Sequence, residues 1–326
     1  MKPFEYAEPI TQDEVVDLLQ VDDGESVVLA GGTDLIGLLK KMVVTPTRVV
    51  NIMEVAAFKQ LSSLDDGSLM IGAAVTLDEI LASAECSDYG ALLDAIHGIN
   101  SMQLQCQGTL GGEILRRPAC WYFRNGASLL DGEQVAEGDN RYHAILGNRG
   151  LAKYVHSSRI APALIALRAQ ARILGGSGER WTKVSDLFQI PRRPDQREST
   201  LQPGELVTHF VLPDAAGLYN ATYEVRQSAG PDMPLAAAAA ALHISASRVQ
   251  QASVIMGQVA PIPWNSEAAA NCLIGQTVTS DLAEEAGRQA VAQATPLSDN
   301  QYKIKLAATA VKRAVLRAAG LETGGF

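Results

Sequence analysis

The stretch AGGTDLIGLLKK, residues 30 to 41, follows directly on the short apolar run from Ser26 to Ala30. An uninterrupted β-branched run of this length is typical of a strand that is buried on both faces. Gly31 and Gly32 therefore follow a strand, and Asp34 is placed to cap a helix that begins at Leu35. A strand, a glycine turn and a helix in this order form a site that can hold an anion.

The composition indicates a soluble globular protein with more than one domain. The chain has 326 residues, of which 47% are hydrophobic and 19% charged, and its length predicts two or three domains. The net charge of −9 argues against a nucleic-acid partner or an anionic membrane surface. The longest apolar stretch, Pro234 to Leu242, is far shorter than the roughly 20 residues of a membrane span. The N-terminus lacks the apolar segment of an export signal, so we expect a cytoplasmic protein, unless a partner carries the export signal.

The residue types that could bind a metal or catalyse hydrolysis are far apart in the sequence and form no known motif. No G-x-S-x-G or H-E-x-x-H motif is present, so no catalytic residue is predicted in this chain. The four cysteines contain no C-x-x-C pair, which predicts no metal site and no disulfide framework. The clustered basic residues of 192–193 and 303–313 are expected to be solvent-exposed. The cysteines are Cys86, Cys106, Cys120 and Cys272.

The order of helix and strand patterns predicts an α+β protein with a boundary near residue 216. Residues 1–55 read as a small α/β lobe with a parallel sheet, and residues 56–216 as a larger mixed lobe. Capping boxes begin helices at Thr11 and Thr76, and a hairpin is predicted at 171–178. Residues 217–326 read as an α+β domain in which strands at 219–226 and 252–259 alternate with alanine-rich helices at 234–241, 282–292 and 303–319.

A second glycine turn, Gly108-Thr109-Leu110-Gly111-Gly112, resembles the first in its adjacent glycines. In both turns, backbone N–H groups can approach a ligand without Cβ atoms in the way. Facing one another, the two turns could bind a diphosphate through these N–H groups and the hydroxyls of Thr33 and Thr109. Neither turn matches the Rossmann fingerprint or the P-loop.

Seven segments, taken in order, resemble the FAD-binding subunit of the xanthine dehydrogenase and carbon monoxide dehydrogenase family. They cover nearly the whole chain. The segments are 30–35, 108–112, 120–124 (CWYFR), 138–145 (GDNRYHAI), 161–164 (APAL), 223–226 (YEVR) and 259–264 (VAPIPW).

The resemblance implies a two-lobed FAD-binding domain of the vanillyl-alcohol-oxidase-like type, residues 1–216, followed by a C-terminal α+β domain, residues 217–326. It also implies a subunit that passes electrons between iron–sulfur clusters on a partner and an external acceptor. The implied partners are a large subunit with the molybdenum cofactor and a small subunit with [2Fe–2S] clusters, assembled as a dimer of heterotrimers. The cofactor contacts carried over from the family are Ala30, Gly31, Gly32, Thr33, Asp34, Leu35, Gly108, Thr109, Gly111, Gly112, Glu113, Arg159 and Ile160.

Two of these positions, together with Glu224, depart from the family pattern. Glu113 stands where the family commonly has asparagine and would place a carboxylate near the phosphates. Arg159 stands at a family aspartate near the flavin, and Glu224 at a frequent lysine. These departures leave open a flavin-free scaffold or assembly protein that kept the fold. A free-standing flavin reductase is a third alternative, which would oxidise NADH or NADPH as the isolated chain.

The segment from Arg116 to Asn140 matches the loop that carries an extra [4Fe–4S] cluster in some relatives. Here it contains only Cys120, whereas a cubane cluster needs four protein ligands. We therefore expect no cluster in this chain. Trp121 and Tyr122 are expected either to stack on the cofactor or to pack in the core or an interface.

Overall fold

The small lobe is built on a parallel sheet, as predicted. The computed structural model describes residues 1–20 and 25–324, so residues 21–24 of the predicted small lobe and 325–326 of the predicted C-terminal domain lie outside the described residues. The three strands lie in the order β1-β3-β2. β2 is half-buried rather than buried on both faces, because it is an edge strand. The elements are β1 Glu5–Ala7, α1 Gln12–Gln20, β2 Ser26–Leu29, α2 Leu35–Lys40 and β3 Arg48–Asn51.

The larger lobe contains a five-stranded antiparallel sheet in the order β4-β5-β8-β6-β7. Both predicted capping boxes form, the first between Thr11 and Glu14 and the second between Thr76 and Glu79. The predicted hairpin is the pair β6–β7. The elements are β4 Leu61–Ser63, β5 Leu69–Gly72, α3 Leu77–Ala82, α4 Gly90–Gly98, α5 Met102–Gln107, α6 Leu110–Ile114, α7 Trp121–Arg124, α8 Gly132–Glu137, α9 Ala161–Ala166, β6 Gln170–Gly175, β7 Gly178–Lys183 and β8 Leu206–Leu212.

The C-terminal part packs three helices on a four-stranded antiparallel sheet in the order β12-β11-β10-β9. The predicted strands and the last two predicted helices are present. The elements are β9 Leu218–Val225, β10 Ala236–Ser245, β11 Arg248–Gly257, β12 Trp264–Asn265, α10 Glu267–Leu273, α11 Ser280–Ala290 and α12 Tyr302–Ala318.

The alanine-rich helix predicted at 234–241 is wrong, because these residues form most of the central strand β10. β10 pairs with β9 on one side and β11 on the other, and its alanines are buried on both faces. Ala238 and Ala240 belong to the same core cluster as Ala310 of α12, whereas Ala239 and Ala241 join the core of the larger lobe. Pairing and burial on both faces thus override the helix propensity of alanine.

Lys303 corrects a second expectation, since it is buried rather than solvent-exposed. Its side chain at the start of α12 is 1% exposed. Nζ donates to the carbonyl oxygens of Gln258 (2.7 Å), Tyr142 (3.1 Å) and His143 (3.1 Å). Burial lowers the pKa of Lys303 to about 7. The three carbonyls fasten the loop at 142–143 to the C-terminal domain.

Candidate functional site

The first glycine turn links β2 to α2 and lies against the end of α5. A Cβ on Gly31 would come within 1.5 Å of the carbonyl oxygen of Gln107, and Gly32 has a φ of +72°. Both positions therefore require glycine. Among residues 1–20 and 25–324, no acceptor pairs with the backbone N–H groups of residues 31–34. The turn thus presents unpaired donors, which an anionic ligand would satisfy.

The second glycine turn uses its donors differently. Gly112 N–H donates to Thr109 Oγ1 (3.2 Å), which caps α6. The N–H groups of Leu110, Gly111 and Glu113 donate to the carbonyls of Val75, Ala73 and Thr109 at 2.9 Å each. The two turns are therefore not equivalent nests. The second turn is anchored on residues 73–75 and offers a ligand its Thr109 hydroxyl and the open surface above its glycines.

Both turns line one cleft of about 420 Å³ between the small lobe and residues 197–207 of the larger lobe. A Cβ on Gly111 would lie 2.8 Å from the Cβ of Ala73, so glycine is needed here for close packing. Gly108, Glu113, Arg159 and Ile160 do not line the cleft. The predicted residues that the cleft brings together are Ala30, Gly31, Gly32, Thr33, Asp34, Leu35, Thr109, Gly111 and Gly112.

Asp34 anchors the segment after the second turn instead of capping α2. Its side chain makes no cap hydrogen bond. Oδ1 pairs with Arg124 Nη2 at 2.7 Å and with Arg116 Nε at 3.8 Å, and Oδ2 accepts from Arg117 N–H at 3.1 Å. Two guanidinium groups and a backbone donor compete better for a carboxylate than the N–H groups of a helix's first turn. Asp34 therefore joins the two glycine turns through the loop at 116–124.

The cations on the cleft wall were not anticipated as site residues. Arg117 makes a bidentate pair with Glu198, in which Nη2 lies 3.1 Å from Oε2, and stacks 4.8 Å above the ring of Phe123. Arg197, next to Glu198, also lines the cleft. Within the described part of the chain, no carboxylate or other acceptor pairs with the Arg197 guanidinium. The lone arginine carries no motif, and only the fold brings residue 197 to the glycine turns.

The residues that depart from the family pattern form a buried charge network. Arg159 Nε lies 3.3 Å from Glu224 Oε1, with side chains that are 2% and 4% exposed. Arg226 Nε lies 3.1 Å from the other oxygen of Glu224. Glu113 Oε1 accepts from Arg159 N–H at 3.1 Å, and Arg116 lies 3.6 Å from Oε2. Burial raises the pKa of both Glu113 and Glu224.

This network explains how the residues that differ from the family pattern can be present together. Positions 159 and 224 carry the opposite charges to those the resemblance leads us to expect, but they pair with each other across the two domains. The Glu113 carboxylate is engaged by Arg159 and Arg116 and does not line the cleft. None of the three departing residues lines the cleft.

The aromatic residues after the second turn form a cluster of their own. Trp121 meets Tyr142 and His143 edge to face, with ring centroids 5.4 and 5.8 Å apart. Cys120 Sγ lies 3.2 Å from His143 Nε2. Across the described ranges, no group of three or more His, Cys, Asp or Glu side chains is placed to hold a metal ion. No helix in those ranges is long and apolar enough to cross a bilayer.

The comparisons with known proteins agree with this geometry. Residues 2–215 match the model of the FAD binding domain in molybdopterin dehydrogenase, and residues 221–318 match that of the CO dehydrogenase flavoprotein C-terminal domain. The chain belongs to this family of FAD-binding oxidoreductase components. The predicted family, fold class and FAD-binding domain are thereby confirmed.

Two relatives match along nearly their whole length. The chain is 31% identical over 320 residues to the aldehyde oxidoreductase FAD-binding subunit PaoB of Escherichia coli (strain K12), covering 94% of this chain and 95% of the relative. It is 26% identical over 325 residues to the carbon monoxide dehydrogenase medium chain of Afipia carboxidovorans, covering 97% and 96%. The structure of quinoline 2-oxidoreductase from Pseudomonas putida 86 superposes with a TM-score of 0.75 at 23% identity, over 98% of this chain and 99% of that chain, which shows the common fold.

Proposed function

We propose that this chain is the FAD-binding electron-transfer subunit of a multi-subunit molybdenum hydroxylase or dehydrogenase. It would pass electrons between iron–sulfur clusters on a partner and an external acceptor. The observation that carries the proposal is the cleft, in which the unpaired N–H groups of residues 31–34 and the unpaired guanidinium of Arg197 face the same space. A diphosphate satisfies both kinds of donor.

The residues present fit the dinucleotide. Gly31, Gly32 and Thr33 would hold the diphosphate through backbone N–H groups, and the hydroxyls of Thr33 and Thr109 would add donors. Asp34 would keep the first turn in place through its pairs with Arg116 and Arg124. When bound, a flavin supplies exchange of one electron with a cluster and of two with a soluble acceptor. The roles of Gly108, Glu113, Arg159 and Ile160 in cofactor binding remain predictions.

The assembly follows from the same proposal. We propose a molybdenum-cofactor large subunit and a [2Fe–2S] small subunit as partners, in a dimer of heterotrimers in the cytoplasm. The names of the relatives, an FAD-binding subunit and a medium chain, support a multi-subunit enzyme. We also propose the domain boundary at 216/217, which is supported by the gap between the two family matches.

The alternative of a flavin-free scaffold was suggested by Glu113 and Arg159, but their positions in the structure do not support it. Glu113 and Arg159 bind each other and their neighbours and do not line the cleft. No second function is therefore proposed.

The experiment is the absorption spectrum of the purified chain after incubation with excess FAD and gel filtration. Visible flavin absorption that stays with the protein supports the proposal. A well-folded protein that leaves the column colourless would favour the scaffold. Oxidation of NADH or NADPH by the flavin-loaded chain alone would favour the free-standing reductase.

A further inference from the structure

His156 lies on the wall of the glycine cleft and is absent from the cofactor contacts predicted from the sequence. Its backbone N–H donates to the carbonyl oxygen of Ala260 at 2.8 Å, which places it where the cleft adjoins the C-terminal domain. The next residue, Ser157, accepts a hydrogen bond from the N–H of Ala119 at 2.7 Å through its Oγ. The histidine is therefore fastened both to the C-terminal domain and to the segment that follows the second glycine turn.

The surroundings of the His156 ring fix its tautomer. Nδ1 accepts a hydrogen bond from the backbone N–H of Ser158 at 3.3 Å, so Nδ1 carries no proton. Ser158 is itself held in place, because its Oγ accepts from the N–H groups of Ile160 and Ala161 at 3.2 and 3.0 Å. Burial lowers the pKa of His156 to about 3, so the ring is uncharged at neutral pH. The single ring proton is then on Nε2.

Nε2 is the free donor of this ring. Across residues 1–20 and 25–324, no protein atom accepts a hydrogen bond from it, and it retains exposed surface, unlike buried unpaired atoms such as Tyr154 Oη. His156 as a whole is only 5% exposed, and the cleft is the open space that it lines. The ring of Phe188, which also lines the cleft, packs at 73° to the imidazole with centroids 4.5 Å apart. His156 thus presents one oriented, uncharged N–H group to the cleft.

An uncharged donor matches the flavin ring of the cofactor better than its diphosphate. The diphosphate is anionic, and the cleft offers the cation Arg197 for it. The pyrimidine edge of an oxidised flavin is uncharged and presents the acceptors O2, N1 and O4, whereas the edge of adenine combines its acceptors with an amino donor. In a reduced flavin, negative charge develops at N1 and O2, where an N–H donor stabilises it. A donor at this edge therefore favours the reduced form over the oxidised form.

We propose that His156 donates its Nε2–H to the pyrimidine edge of the flavin and thereby raises the reduction potential of the bound cofactor. The inference deepens the proposed function and rests on it, because it requires FAD in the glycine cleft. His156 is a fixed hydrogen-bond donor in this role. Its proton stays on Nε2, and no electron passes through the ring.

The first test compares the reduction potential of FAD bound to the wild-type chain and to His156→Leu, measured by reductive titration against a reference dye. Loss of the donor should lower the affinity for reduced FAD about tenfold more than that for oxidised FAD. The two-electron potential should then fall by about 30 mV. His156→Gln, whose side-chain amide can place an N–H near the position of Nε2, should restore much of this loss. His97→Leu, an exposed residue of α4 away from the cleft, should leave the potential unchanged.

A second measurement observes the donor itself in the wild-type chain. NMR of the chain with ¹⁵N-labelled histidine should show His156 with a protonated Nε2 and an unprotonated Nδ1, the signal being assigned by its absence in His156→Gln. FAD should shift the Nε2 proton downfield. ADP should leave it in place, because ADP carries the adenine and the diphosphate without the flavin. A shift caused by ADP alone, or a proton on Nδ1, would overturn the proposal.

The remaining outcomes separate this inference from the proposed function. Equal potentials in wild type and His156→Leu would overturn the inference, and so would an equal fall in His156→Gln. If His156→Leu does not fold, the NMR measurement on the wild-type chain decides. Failure of the wild-type chain to retain FAD would refute the proposed function, whereas retention of FAD with an unshifted Nε2 proton would refute the contact alone.

Discussion

The two glycine turns have similar sequences and contrasting hydrogen bonding. In the first, the N–H groups of residues 31–34 have no acceptor within the described ranges, whereas in the second the N–H groups of 110–113 all donate within the protein. The difference arises because residues 73–75 run beside the second turn and supply two carbonyls. Adjacent glycines thus indicate where a ligand can approach, but the neighbouring chain decides which donors remain for it.

The largest expected effect is a loss of stability, from a change in the buried charge network that adjoins the second turn. Glu224→Lys would place a buried ammonium beside Arg159 and Arg226 and should lower the free energy of unfolding by about 3–5 kcal/mol. The double variant Arg159→Asp/Glu224→Lys restores opposite charges and should recover a large part of that loss. Urea unfolding of both variants measures the coupling. Additive losses would show that the exchanged charges do not compensate each other.

Gly31→Ala tests whether the first turn depends on its contact with Gln107. The new Cβ would lie 1.5 Å from a backbone oxygen, so we expect a loss of about 3 kcal/mol in stability together with loss of FAD binding. The matched control is Gly37→Ala in α2, whose Cβ would have no atom within 4 Å and should stabilise the helix by about 0.5–1 kcal/mol. Equal unfolding free energies for the two variants would contradict the close approach of the turns.

Arg197→Gln sharpens the comparison by removing the cation while leaving both turns intact. We expect FAD affinity to fall about ten- to hundredfold, the effect of one charge-assisted hydrogen bond, and riboflavin affinity to stay unchanged because riboflavin has no phosphate. Arg192→Gln, an exposed residue of the same segment, serves as the control. Fluorescence titrations with both flavins give the dissociation constants. An equal loss for riboflavin would place Arg197 away from the diphosphate.

Much of the fold was predictable because local signals and packing agree. The capping boxes at Thr11 and Thr76, the parallel small lobe and the β6–β7 hairpin all follow from short-range patterns. β10 was not predictable, because alanine favours helices and only the pairing with β9 and β11 makes a strand. At the site, the glycines were predictable, but Arg197 and the partners of Asp34 come from segments that only the tertiary fold brings together.

The smallest expected effect is on the pH dependence of stability and concerns His156, which lines the cleft and packs edge to face on Phe188. Burial lowers the pKa of His156 to about 3. The unfolded chain, with a histidine pKa near 6.5, therefore binds more protons between about pH 3 and 6.5, and stability falls as the pH drops through this window. His156→Gln should remove a slope of at most about 1.4 kcal/mol per pH unit. Urea unfolding at neutral and mildly acidic pH checks this, and parallel profiles would contradict a buried neutral imidazole.

Hydrogen exchange of the backbone amides, with and without FAD, tests the central claim most directly. Without FAD, the amides of residues 31–34 should exchange fast and those of 110–113 slowly, because only the latter are hydrogen-bonded within the protein. FAD should then protect residues 31–34 and leave 110–113 nearly unchanged. Protection that appears only at 110–113, or at neither turn while FAD is bound, would contradict the assignment of the diphosphate to the first turn.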